Sequence, residues 1–147
     1  MKWLTPHFAL EELTYSSVAL RHGIDNEPSV AAATNLFKLC RDVLEPVREL
    51  LNCPLHVDSG YRSETLNELV GSTSKHSDHL DGNAADVIPI DMPIREAFDL
   101  IRASNIPFKQ LILECGAWIH LSRGDEPHRE ALLASGSPGN WTYTTVV

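Results

Sequence analysis

The sequence predicts an α+β fold on three observations. Apolar residues at helical spacing dominate the first third of the chain, and short alternating runs cluster in the second half. The two textures also come as blocks and do not alternate as they would in a parallel α/β sheet.

Element by element, Phe8 to Leu13 and Val18 to His22 read as short helices, the second closed by Gly23. From about Pro28 to Leu51, Val30, Ala33, Leu36, Phe37, Cys40, Val43, Leu44, Val47, Leu50 and Leu51 recur at three- and four-residue steps, one apolar stripe of a long helix. Pro28 suits the first turn of that helix. Pro46 removes a backbone donor near its end and predicts a kinked or tightened turn. Leu55 to Asp58 alternates as a strand and runs into a turn at Ser59-Gly60. Ser63 stands where an N-cap belongs, ahead of a helix carrying Leu66, Leu69 and Val70 and stopped by Gly71. Residues 71 to 83 are mostly small and polar and read as an irregular loop. Ala84 to Ile88 is a strand ending at Pro89. Asp91 and Pro93 then open a helix with Ile94, Ala97, Phe98 and Ile101 on one face. Gln110 to Glu114 and Ala117 to Ser122 are strands joined by a tight turn at Cys115-Gly116. Ser135 to Gly139 reads as a loop, and Trp141 to Val147 as a last β-rich segment of a C-terminal tail over about 135–147.

Composition narrows the function classes. A chain of 147 residues is expected to form one domain over residues 1–147, large enough to bury a core without staples. Twelve Lys and Arg against 20 Asp and Glu, a formal charge of −8, argue against a nucleic-acid partner. No apolar run approaches the ~20 residues that span a bilayer. The opening Met1 to His7 is too polar, and too broken by Pro6, for a signal peptide, so a cytoplasmic setting is expected. Cys40, Cys53 and Cys115 then read as three reduced thiols.

The chemistry concentrates in Ser77-Asp78-His79-Leu80-Asp81-Gly82-Asn83-Ala84-Ala85-Asp86. A lone histidine in a polar loop is ordinarily a hydrogen-bonded surface group. A second one changes the odds: alternation over Ala117 to Ser122 puts Trp118, His120 and Ser122 on one strand face. His79, Asp86 and His120 form a His/Asp/His set with nitrogen and carboxylate donors that suit zinc. A fourth position left to water is what catalytic zinc requires. Asp78 and Asp81 read as turn residues, and no Ser-His-Asp arrangement with an oxyanion loop is visible around Ser77.

Ser77-x-His79-x-x-Gly82-x-Ala84-x-Asp86 resembles the full S-x-H-x-x-G-x-A-x-D signature of the zinc D,D-peptidases, the VanY and M15 group of cell-wall peptidases. Trp118-Ile119-His120 is similar to their W-x-H element, and Ser59-Gly60-Tyr61-Arg62-Ser63 to their S-G-Y-R-S segment, with Asn67 and Val70-Gly71 following. The resemblance runs from about Phe8 to about Leu133 and is nearest to the compact, phage-encoded form. Gly71 to His76 is slightly longer than the family's Gly-Gly-Ser run, and His76 reads as a loop residue.

The resemblance implies a small antiparallel sheet carrying the zinc site with flanking helices, of the Hedgehog/DD-peptidase kind. It implies Zn2+ on His79, Asp86 and His120, and Glu114 as general base and acid. Arg62 would hold the substrate carboxylate or the developing oxyanion. Ser77 would brace the loop and, with Trp118, line the substrate site. The implied substrate is a peptidoglycan stem peptide, cut as by a D-Ala-D-Ala carboxypeptidase or endopeptidase. Cleavage between L-Ala and D-Glu, as by an endolysin, and a non-catalytic zinc-stabilised virion or binding module are the alternatives. A monomer is expected, acting in phage lysis or on the virion and reaching the wall by other means.

Overall fold

The computed structural model describes residues 1–71, 77–137 and 140–146. It begins with a small ribbon, β1 (Trp3–Thr5) against β2 (Phe8–Ala9), leading into α1 (Leu10–Thr14). Phe8 and Ala9 therefore differ from the predicted helix. The Glu12 carboxylate accepts from the Ala9 amide at 2.8 Å, which starts the helix two residues later and leaves Phe8 free to pair with Thr5. α2 (Ser17–Arg21) follows, its first turn capped by Ser16.

The long apolar stripe forms one helical rod in three parts: α3 (Val30–Leu39), a π turn (Cys40–Leu44) and α4 (Glu45–Leu51). Pro46 explains the middle part. It offers no N–H to the carbonyl one α turn back, and the wider turn just upstream absorbs that vacancy, with Glu45 donating to the Cys40 carbonyl five residues away. The rod buries Leu36, Leu39, Val43, Leu44 and Val47 completely.

The main sheet has six strands: β3 (Leu55–Ser59), β4 (Ala84–Pro89), β5 (Gln110–Glu114), β6 (Trp118–Ser122), β7 (Glu130–Ser137) and β8 (Asn140–Thr145). Their order is β3-β4-β6-β5-β7-β8. The strands that carry the site, β3, β4, β6 and β5, pair antiparallel as expected, whereas β7 runs parallel to β5 and makes the six-stranded sheet mixed. Arg129 anchors the entry to β7. It takes a left-handed φ of 53°, donates to the carbonyls of Ile106 and Ser104 at 2.9 and 2.6 Å, and stacks 4.4 Å over Phe108. β7 also continues to Ser137, past the point where composition predicts a loop. Its hydrogen bonds come from β5 and β8, partners that local composition does not reveal.

The sheet has two distinct faces. Ala85, Val87, Leu111, Leu113, Ile119 and Leu121 turn into the core shared with the rod and with α6 (Ile94–Ala103). Asp86, Ile112, Glu114, Trp118, His120 and Leu132 turn the other way, into a cleft. Burying the first set drives assembly at roughly 25 cal/mol per Å² of apolar area. The second set is then displayed at fixed register. Among the described residues no helix is long and apolar enough to cross a membrane.

α5 (Glu64–Leu69) is capped by Ser63, whose hydroxyl accepts from the Leu66 amide. A 3-10 turn (Asp78–Asp81) leads into β4 and is closed by Gly82 at φ 77°. A side chain at Gly82 would collide with the Ala32 carbonyl of α3 as well as strain that φ. Gly82→Ala is therefore expected to cost about 2–4 kcal/mol, read as a lower denaturation midpoint. An unchanged midpoint would refute the close approach of α3 to this turn.

Candidate metal centre

His79, Asp86 and His120 meet through two short-range devices. The 3-10 turn carries His79, and Ser77 braces it by accepting the His79 amide at 3.3 Å. Strand register does the rest, since Asp86 and His120 are directly opposed across β4 and β6. All three side chains are buried, and one donor atom from each lies within 4.8 Å of the others.

The individual separations suit a metal. His79 Nε2 is 3.4 Å from Asp86 Oδ1, and His120 Nδ1 is 3.0 Å from the same oxygen. A tetrahedral ion with bonds of about 2.0–2.1 Å spaces its ligand atoms by roughly 3.3 Å. His79 is also held in the right tautomer. Its Nδ1–H donates to the Gly60 carbonyl at 2.7 Å, which leaves the Nε2 lone pair directed at the cluster.

Electrostatics support the same arrangement. Burial opposes charge on Asp86, but His79 and His120 outweigh it and hold the carboxyl far below the usual range. Burial pushes the His79 imidazole down, against the pull of Asp86. Burial also opposes charge on His120, yet the Asp86 hydrogen bond and charge win and raise it. The ionised Asp86 carboxylate and the neutral His79 imidazole are two donors ready for a cation, and a cation bound here displaces the proton that Asp86 favours on His120.

Arg62 closes one side of the cluster. Its Nη2 donates to Asp86 Oδ2 at 3.3 Å, its Nε to Ser59 Oγ at 3.0 Å, and its Nη1 to Asn67 Oδ1 at 3.2 Å. The Arg62 amide donates to the His79 carbonyl, so these two segments are bolted together. Glu114 stands on the other side, at the end of β5 and opposite Trp118. Burial, and then the negative charge of Asp86, push its carboxyl above the ordinary range. Arg62, Ser77, Trp118 and Glu114 all border one cleft of about 840 Å³ with the three cluster residues.

Several contributors escape a reading of the sequence. Asn26 ties the carbonyls of Thr14 and Tyr61 to the Ser63 amide and so sets the entry to α5. Asp78 does more than make a turn, because both its oxygens accept from Lys109 Nζ at 3.0 Å, fastening the His79 turn to the residue just ahead of β5. Gly60 acts through its carbonyl and through its missing side chain, since a Cβ there would collide with the Leu13 carbonyl. Trp141 and Tyr143 of β8 border the cleft as well. The separations involved, 31 residues for Asp78–Lys109 and 37 for Asn26–Ser63, leave no local pattern to find. His76 and the rest of the 72–76 loop lie outside the described residues. Cys40, Cys53 and Cys115 are free thiols, and burial pushes Cys40 up to about 12.

No curated protein matches the chain. The family model described as Peptidase M15 matches residues 6–122, a span that holds Arg62, His79, Asp86, Glu114 and His120. With a match over most of its length, the chain belongs to the M15 peptidase family.

Proposed function

We propose that the protein is a zinc-dependent peptidase that hydrolyses an amide bond in peptidoglycan stem peptides, of the D-Ala-D-Ala carboxypeptidase or endopeptidase type. The convergence of His79, Asp86 and His120 in a cleft that also holds Glu114 and Arg62 supports this reading. Two imidazole nitrogens and one carboxylate oxygen match the preference of zinc. Zinc bound there supplies Lewis acidity, lowering the pKa of water towards ~7 and polarising the scissile carbonyl.

The chain's own residues handle protons and position. Glu114, with its affinity for a proton raised by burial, takes the proton of the attacking water and returns it to the departing amine. Arg62 is locked in place by Ser59, Asn67 and Asp86, and its guanidinium fork receives the substrate carboxylate or the developing oxyanion. Ser77 steadies the His79 turn, and Trp118 walls the cleft. The VanY-like, Hedgehog/DD-peptidase-like fold, one domain over 1–147, a monomer, and a phage lysis or virion-associated setting belong to the same proposal.

The test is mass analysis of purified muropeptides treated with the zinc-loaded protein, with and without a chelator. Loss of one terminal alanine, abolished by chelation and restored by zinc, is the expected result. Splitting of the stem between L-Ala and D-Glu would move the assignment to an endolysin-type endopeptidase. Zinc binding without any product would reduce the protein to a non-catalytic module.

A further inference from the structure

The residues beyond 122 lie outside the family match, yet they build part of the cleft. Leu132 of β7 and Trp141 and Tyr143 of β8 line it. Strand register locates them. Asp86, His120, Ile112 and Leu132 form one row across β4, β6, β5 and β7, while Trp118, Glu114, Ala134 and Tyr143 form the next across β6, β5, β7 and β8. Tyr143 keeps 52 % of its surface exposed although it is a large aromatic, and it lies near enough to Glu114 for that charge to reach its phenol.

Arg62 stands at the opposite end, beside β3 and β4. Strands are about 4.8 Å apart, so β6 to β8 spans roughly 14 Å, enough for about four extended residues at ~3.3 Å each. A peptide anchored by its carboxylate at Arg62, with the reacting amide at the cluster, therefore has its amino side crossing β5, β7 and β8. From Ala131 to Val147 the chain carries no charged side chain, so this platform offers aromatic rings, a leucine and hydroxyls, and suits neutral parts of a peptide.

We propose that the paired strands β7 and β8 form a substrate subsite, in which Leu132, Trp141 and Tyr143 pack on the residues amino-terminal to the cleaved bond. This rests on the stem-peptide reading above. The subsite makes cleavage depend on peptide length, and it does so through binding.

The experiment compares kcat/KM of the zinc-loaded protein on a stem pentapeptide and on N-acetyl-D-Ala-D-Ala. Trp141→Ala and Tyr143→Ala are expected to lower the pentapeptide-to-dipeptide ratio about tenfold through KM, whereas Tyr143→Phe, which keeps the ring, retains it. An unchanged ratio, or equal losses on both peptides, would overturn the subsite. Should the wild type hydrolyse neither peptide, the stem-peptide reading fails by itself, and the subsite is judged by equilibrium binding of the pentapeptide. A Kd about tenfold weaker in Trp141→Ala then upholds it. Equal Kd values, or no binding by the wild type, overturn it.

Discussion

Replacing Glu114 by Gln is expected to lower kcat on a stem peptide by about 10³-fold while metal content stays at one ion per chain. The substitution keeps the volume and shape of the side chain at the end of β5, next to Trp118. It removes the ability to accept a proton. General acid–base groups contribute roughly 10²–10⁴-fold, and Glu114 is asked to serve both halves of the reaction. Since Glu114 lies outside the His79, Asp86 and His120 cluster, metal binding is not expected to follow activity. Metal analysis beside steady-state kinetics separates the two. Unchanged hydrolysis would remove Glu114 from the mechanism.

His120→Ala is expected to abolish metal and activity together. One of three donors is lost, so the affinity loss should exceed the 10–100-fold that follows from removing a group that only orients a ligand. The change also strips Asp86 of a neighbour 3.0 Å away that helps hold its buried carboxylate ionised. Competition with a chromophoric chelator gives the zinc affinity directly. A variant that still holds one zinc tightly would exclude His120 from the ligand set, and the cluster would then need another donor.

What could be read from the sequence depended on how local each feature was. His79 and Asp86 are seven residues apart, on a turn and the strand leaving it, so spacing alone brings them near each other. His120 was legible because a strand over 118–122 puts it on the same face as Trp118 and Ser122. β7 was not. Glu130 to Ser137 shows no clean alternation, its Ser and Gly suggest a loop, and its parallel partner β5 lies 20 residues upstream. The π turn is an intermediate case. Pro46 announces a disturbance, but its form depends on the neighbouring carbonyls in three dimensions. Arg62 is singled out only by the family resemblance, and its restraints by Ser59, Asn67 and Asp86 become visible only when β3, α5 and β4 are assembled.

That π turn also sets the phase between two grips. On α3, Asn35 donates to the Asp81 carbonyl, holding the turn that bears His79. Within the π turn, Asp42 accepts from Arg123 at 2.9 Å, just past the strand that bears His120. One helical rod thus grasps both sides of the cluster, and each residue of helix adds about 100° of rotation. The extra residue in the wide turn works as a vernier. Deleting Cys40, which lies between Asn35 and Asp42, would leave each grip chemically intact but rotate one against the other. The spacing of the metal donors is in that sense gauged from the far side of the sheet, by a helix that contributes none of them.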